Sequence, residues 1–178
     1  MNESEKIEFA KFVIGRYDHY YDSVNNKANF WLAFNSFAIG VVLTTYKDVK
    51  DLVPSCVISW FNGGLISFLV IAIVSSFLIL IASWPHMTFK KRPGRGGRSL
   101  IYFDDVAAFE VADYRKALDE ADSQRLYKDF SGQTWHLAAG LNRKYRLLAW
   151  AGRLMAMLLV ILAYLILVFV VGKILNQS

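Results

Sequence analysis

From Leu52 to Phe89 the chain runs 38 residues without an Asp, Glu, Lys or Arg. Its centre, Leu65 to Leu80 (LISFLVIAIVSSFLIL), is apolar on every side apart from small serines, so a helix made of it has no stripe to turn toward water. About 20 apolar residues cross a hydrocarbon core of roughly 30 Å. The stretch therefore reads as a membrane span, long enough to tilt or to leave one end wet. The composition agrees, because 55% hydrophobic residues in a chain of 178 is too apolar for a soluble domain of that size. The formal net charge of +5 lies mostly beside apolar runs. Membrane orientation accounts for it more simply than nucleic acid, and no nucleic-acid partner is expected. Cys56 is the lone cysteine, so no intrachain disulfide forms. The first 27 residues carry nine charges and no apolar core, which argues against a cleavable signal peptide.

Before the first span, Ile7, Ala10, Ile14, Tyr17, Tyr21 and Val24 alternate steps of three and four, one seam along a helix. The seam keeps its phase through Ala28, Trp31 and Asn35, which predicts a single helix entering the membrane without a break. An amide in lipid needs company, so Asn35 either bonds a neighbouring helix or faces a wet lumen. Ser36, Gly40 and Thr44 make a row of small residues, repeated on the second span by Ser59, Gly63 and Ser67. Such rows let backbones approach, either within a hairpin of the first two spans or between subunits. Asn62, Gly63 and Gly64 are the expected point of kinking or unwinding. Trp31, Trp60 and Trp84 lie near span ends, where indole rings favour the interface.

After Pro85 comes KKRPGRGGRS, with Lys90, Lys91, Arg92, Arg95 and Arg98 and no acid. It reads as an anchor at anionic headgroups or, with its glycines, as a backbone that folds around a phosphate. Leu100 to Phe103 reads as a short strand or an apolar plug. Asp104 is the expected N-cap of a helix running through Val106, Phe109, Ala112 (or Asp113) and Ala117 toward Leu118. Asp104 and Asp105 suit capping better than metal binding, since no third ligand is in view. After a break near Asp119 to Ser123, capped by Asp122 or Ser123, a last helix carries Tyr127, Phe130, Thr134, Leu137, Leu141, Tyr145 and Leu148 on one face. It then flows into a third span.

The expected fold is an all-α integral membrane protein with three transmembrane helices and a helical cytosolic bundle formed by extensions of the first and third spans. Its parts are a cytosolic helix (1–27), a first span (28–46), a periplasmic loop (47–54), a second span (55–86), a cytosolic helical region (87–153), a third span (154–172) and a periplasmic tail (173–178). Lys and Arg number 17 on the side holding the N-terminus and 3 on the other, which places the N-terminus in the cytoplasm and the C-terminus in the periplasm. His19, His86 and His136 lie in separate segments and no metal-ligand spacing occurs, so the chain reads as non-enzymatic, without metal or cofactor.

Three segments together resemble the transmembrane effector family of the Pycsar system of bacterial antiphage defence, PycTM. They are RYDHYYDSVNNKANFWLAFNSF (16–37), SLIYFDDVA (99–107) and YKDFSGQTWHLAAGLNRKYRLLAWA (127–151). The last is similar to the family's sequence of an aspartate, a glutamine and a Lys-Tyr pair, here Asp129, Gln133 and Lys144-Tyr145. Residues 25–29 resemble a polar turn around Lys27-Ala28. Asp104 stands where the family pattern has a glycine, and a third span follows the last motif. The resemblance implies a homo-oligomeric inner-membrane effector that answers a cyclic pyrimidine mononucleotide of the cyclic CMP or cyclic UMP class. Such an effector impairs the membrane by oligomerising or opening a pore. Under that implication Arg95, Arg98, Arg143 and Lys144 are the expected phosphate contacts and Tyr102 or Tyr145 the base-stacking partner. Asn35, Ser36, Gly40, Asn62 and Gly63 are the expected pore or packing residues. The alternative is a membrane scaffold or small channel subunit with a protein partner and no nucleotide ligand.

Overall fold

The structure is a computed structural model describing residues 1–84 and 98–175, with only the backbone of Leu175. Among them are five helices and no strand: α1 (Glu3–Leu52), α2 (Ile58–Ser83), α3 (Phe103–Ala107), α4 (Val111–Asp119) and α5 (Ser123–Leu175). α1, α2 and α5 are long and apolar enough to cross a membrane.

α1 starts on a reciprocal cap. Asn2 Oδ1 accepts from the Glu5 amide at 2.8 Å, and Glu5 Oε2 accepts from the Asn2 amide at 2.9 Å. The helix then continues for 50 residues, so the expected continuity through Lys27 holds and residues 25–29 are helical rather than a turn. It also outruns the expected loop start. Lys47 to Leu52 stay helical, and the connection is confined to Val53–Val57. The cause is Pro54, which disfavours helical geometry at the residue before it and has no amide to continue the ladder. α2 runs unbroken through Asn62, Gly63 and Gly64, so no unwinding occurs there.

The segment before α5 departs most from expectation. Leu100 to Phe103 is not a strand, and the single helix expected from Asp104 to Leu118 is two helices with a break at residues 108–110. Asp104 is not the N-cap; it lies in the first turn of α3, and Tyr102 holds the cap position without a side-chain bond. Ser99 shapes the turn instead. Its Oγ accepts from the Ile101 and Tyr102 amides at 3.3 and 3.2 Å, while Asp105 Oδ2 accepts from the Ser99 amide at 3.0 Å. Asp122 caps α5, its Oδ1 accepting from the Arg125 amide at 2.8 Å, as expected.

The chain divides into two compact units, Met1–Ser23 with Pro85–Arg143, and Val24–Trp84 with Lys144–Ser178. In the first, the start of α1 and the start of α5 run in the same direction, with Lys6 over the Tyr127 ring and Lys11 over the Phe130 ring. Ala10, Leu100 and Leu141 are its buried apolar residues. In the second, α2 runs against α1 and α5 around Val53, Phe61, Phe68, Ala72, Leu158 and Leu165. Close approach depends on glycine at Gly64, Gly152 and Gly172. A Cβ at Gly152 would lie 2.8 Å from the Trp31 ring, and one at Gly172 2.9 Å from both Pro54 and Val57.

The small rows are not where the first two spans meet. Ser36, Gly40, Gly63 and Ser67 are exposed, and nothing lies within 4 Å of a Cβ at Gly40 or Gly63. Their hydroxyls turn back on their own helices, Ser36 to the Leu32 carbonyl, Thr44 to Gly40 and Ser67 to Gly63, each at 2.9 Å. Contact runs instead through the face carrying Asn35, Ala38 and Val42.

Candidate functional site

In the first unit, the Leu100 side chain is buried and its amide donates to Asp129 Oδ2 of α5 at 2.8 Å. The Leu100 carbonyl accepts from the Tyr114 hydroxyl at 2.9 Å. The short segment before α3 is thus clamped between α4 and α5, with a carboxylate strengthening one bond. Arg98 is exposed, but its guanidinium is engaged: Nη1 donates to the Ala108 carbonyl at 2.6 Å and the group lies 5.1 Å over the Phe109 ring. Tyr102 is half-buried, its ring 5.0 Å from that of Phe103. Tyr21 reaches across to α5 and donates to the Leu137 carbonyl at 3.0 Å, in the space a Cβ at Gly140 would fill. Burial, and after it the Asp18 carboxylate, push the Tyr21 phenol above its ordinary 10.0.

In the second unit a run of polar side chains lies along the seam of the three helices. Lys144 of α5 is 5% exposed, and its Nζ donates to Asn25 Oδ1 at 3.1 Å and to the Ser83 carbonyl at 3.5 Å. Ser83 is the last residue of α2, where the helix dipole favours a cation. Burial holds the Lys144 ammonium below its ordinary value. Further along the seam Asn35, fully buried, donates from Nδ2 to Ser76 Oγ at 3.3 Å, and Ser75 Oγ donates to the Ala151 carbonyl at 3.5 Å. Asn35 Oδ1 and Asn62 Oδ1 are buried without a hydrogen-bond partner among the described residues.

The six expected ligand residues are not all brought together. Arg95 lies outside the described residues. Arg98 and Tyr102 flank the same capped turn. Arg143, Lys144 and Tyr145 are consecutive on α5, so roughly 100° separates each from the next; Arg143 and Tyr145 are exposed and Lys144 is not. Of the expected pore or packing residues, Asn35 and Asn62 turn inward, whereas Ser36, Gly40 and Gly63 are exposed. Sequence reasoning missed Asn25, Ser75, Ser76 and Ser83 as seam residues. Their signal was present only as polar positions within apolar helices, and which face they occupied depended on the neighbours.

Fold and site define an all-α membrane protein, among the described residues, with three helices long and apolar enough to span, a polar seam where they meet and a helical unit clamped by Asp129. Residues 9–172 match the family described as the Pycsar effector protein domain, PycTM. The chain belongs to that family. No curated protein and no solved structure matches it. Membership makes it an effector of antiphage defence with a transmembrane domain.

Proposed function

We propose that this effector sits in the bacterial inner membrane as a homo-oligomer, N-terminus in the cytoplasm and C-terminus in the periplasm. It senses a cyclic pyrimidine mononucleotide, of the cyclic CMP or cyclic UMP class, on a cytosolic bundle formed by the extensions of the first and third spans. Binding leads it to impair the membrane by oligomerising or opening a pore, without catalysis and without a metal or cofactor. The observation that carries this reading is the continuity of α1 and α5, each an unbroken helix with residues in both units. A ligand that prefers one arrangement of the first unit shifts the spans by its differential affinity for the two states. Of the expected phosphate contacts, Arg95, Arg98 and Arg143 are the proposed ones, with Tyr102 or Tyr145 the stacking partner; Lys144 is buried against Asn25 and Ser83. The basic residues from Lys90 to Arg98 meet anionic lipid.

Purified protein in dye-loaded liposomes tests the reading. Cyclic CMP or cyclic UMP is expected to release the dye, and vesicles that stay sealed with every cyclic mono- and oligonucleotide overturn it. The competing reading is a scaffold or small channel subunit that holds a protein partner. It draws on the exposed Phe9, Phe12 and Tyr20 of α1, with the Arg16 guanidinium 6.0 Å from the rings of Phe12 and Tyr20. Thermal shift separates the two, because a ligand at 100 times its Kd stabilises by about 2.7 kcal/mol and a scaffold without a nucleotide site shows no shift.

A further inference from the structure

The polar seam of the second unit lies toward one end of the three long helices, and Asn62 is an inward-facing polar residue toward the other. Asn35, Ser75 and Lys144 of the seam are buried and Asn25, Ser76 and Ser83 half-buried, whereas the other end is packed mostly by Phe61, Phe68, Leu158 and Leu165. The outward faces of the same helices carry Phe30, Phe37, Ile73, Phe77, Leu159 and Val160, all exposed and suited to lipid rather than water. The hydroxyls of Ser36, Thr44 and Ser67, also exposed, are already bonded to their own backbones. The groups with most to gain from water are therefore the ones facing inward.

Several of their closed-state bonds are long. The contacts of Asn35 with Ser76, Ser75 with Ala151 and Lys144 with Ser83 are 3.3 to 3.5 Å long, beyond the usual range, and Asn35 Oδ1 has no donor among the described residues; Lys144 keeps one ordinary bond, to Asn25 Oδ1 at 3.1 Å. Polar groups inside a membrane are costly to keep dry and are favoured by any arrangement that wets them. A seam of three touching helices has no lumen. Separation of α1, α2 and α5 at this end hydrates all six side chains at once.

The charge along that route has one sign. Lys27, Lys144, Arg146 and Arg153 flank this end, and no Asp or Glu occurs in residues 24–46, in α2 or in residues 144–178. Lys27, Arg146 and Arg153 are exposed, as residues that orient a span are. Lys144 is buried in the seam, where it does nothing for orientation that its neighbours do not already do.

We propose that the seam is the lining of the open conduction path, and that Lys144 makes this path selective for small inorganic anions over cations. The path opens within each copy and carries one Lys144 ammonium at its mouth, which favours anions as a carboxylate there favours cations. The inference rests on the pore reading above and adds to it the face that opens and the class of ion that passes.

Planar bilayers holding the full chain, with unequal KCl on the two sides and cyclic CMP or cyclic UMP as activator, test it. The wild type is expected to reverse near the chloride equilibrium potential. Lys144→Glu shifts the reversal potential toward that of potassium, Lys144→Arg leaves it near chloride, and the exposed Arg153→Gln leaves it unchanged. Should Lys144→Glu fail to fold, Lys144→Gln, which keeps a polar side chain, is expected to move the reversal potential toward zero. Currents that favour potassium, or that ignore the charge at position 144, overturn this inference and leave the pore reading standing. Bilayers that stay silent with every nucleotide overturn both.

Discussion

The Tyr21 hydroxyl of α1 donates to the Leu137 carbonyl of α5 at 3.0 Å, and it does so through the gap left by the missing side chain of Gly140. A Cβ at Gly140 would collide with that hydroxyl, whereas the nearest ring carbon, Cζ, would lie 3.7 Å away in ordinary contact. Gly140→Ala is therefore expected to destabilise the protein by about 1–3 kcal/mol, the usual cost of overpacking. Tyr21→Phe removes the colliding atom, so the double variant is expected to lose less than the two single losses added together. Thermal unfolding of the four proteins in detergent checks this, and strict additivity contradicts the contact.

Stability in alkali follows from the two perturbed groups and takes opposite signs. The Tyr21 phenol is held above 10.0 in the folded protein, so between 10.0 and its raised value the unfolded chain has lost a proton that the folded chain keeps, and stability falls as pH rises. The Lys144 ammonium is held below 10.5, so up to 10.5 the folded chain binds fewer protons and stability rises with pH. Tyr21→Phe is expected to flatten the fall above pH 10.0, and Lys144→Met to remove the rise below 10.5. Melting temperatures across an alkaline pH series of the three proteins decide it.

Asp129 anchors the segment before α3 through the Leu100 amide. Asp129→Ala leaves that amide without its acceptor and is expected to cost about 1–3 kcal/mol. Asp129→Asn keeps an acceptor oxygen and loses less. Hydrogen exchange at Leu100, fast in the alanine variant and slow in wild type, is the readout; equal protection in both denies the clamp.

Asn35 is fully buried and half-satisfied. Asn35→Leu removes the stranded oxygen at the cost of one interhelical bond, itself worth about 0.6 kcal/mol in a membrane. The closed bundle is expected to melt higher by an amount equivalent to about 1 kcal/mol, since an unpaired buried acceptor costs about 1–3 kcal/mol. Dye release from liposomes is expected to fall in parallel, because the variant gains less from hydration. A variant that melts lower and leaks more reverses the argument.

Much of the architecture is legible in the order of residues because hydrophobic periodicity is a local property. The seam from Ile7 to Asn35 predicts the unbroken α1, and Asp122 at the head of an amphipathic run predicts the start of α5. The errors arise where a distant partner outweighs a local preference. Asp104 has the chemistry of an N-cap, yet Ser99 and Asp105 satisfy the turn between them. The helix expected through Phe109 is interrupted where Arg98 reaches across to the Ala108 carbonyl and the Phe109 ring. The small rows are real in composition, but a row of serines and glycines is equally consistent with an inner and an outer face.

The sequence by itself determined that this chain is helical, that three of its helices are long and apolar enough to cross a membrane and to which family it belongs, since charge-free length and motif order need no third dimension to read. Only the tertiary structure decided which polar residues face one another. Lys144 and Arg143 are neighbours in sequence and alike in charge, yet one is sealed against Asn25 and Ser83 while the other is exposed. The physical reason is that a helix turns about 100° per residue, so which side is dry depends on the helices beside it.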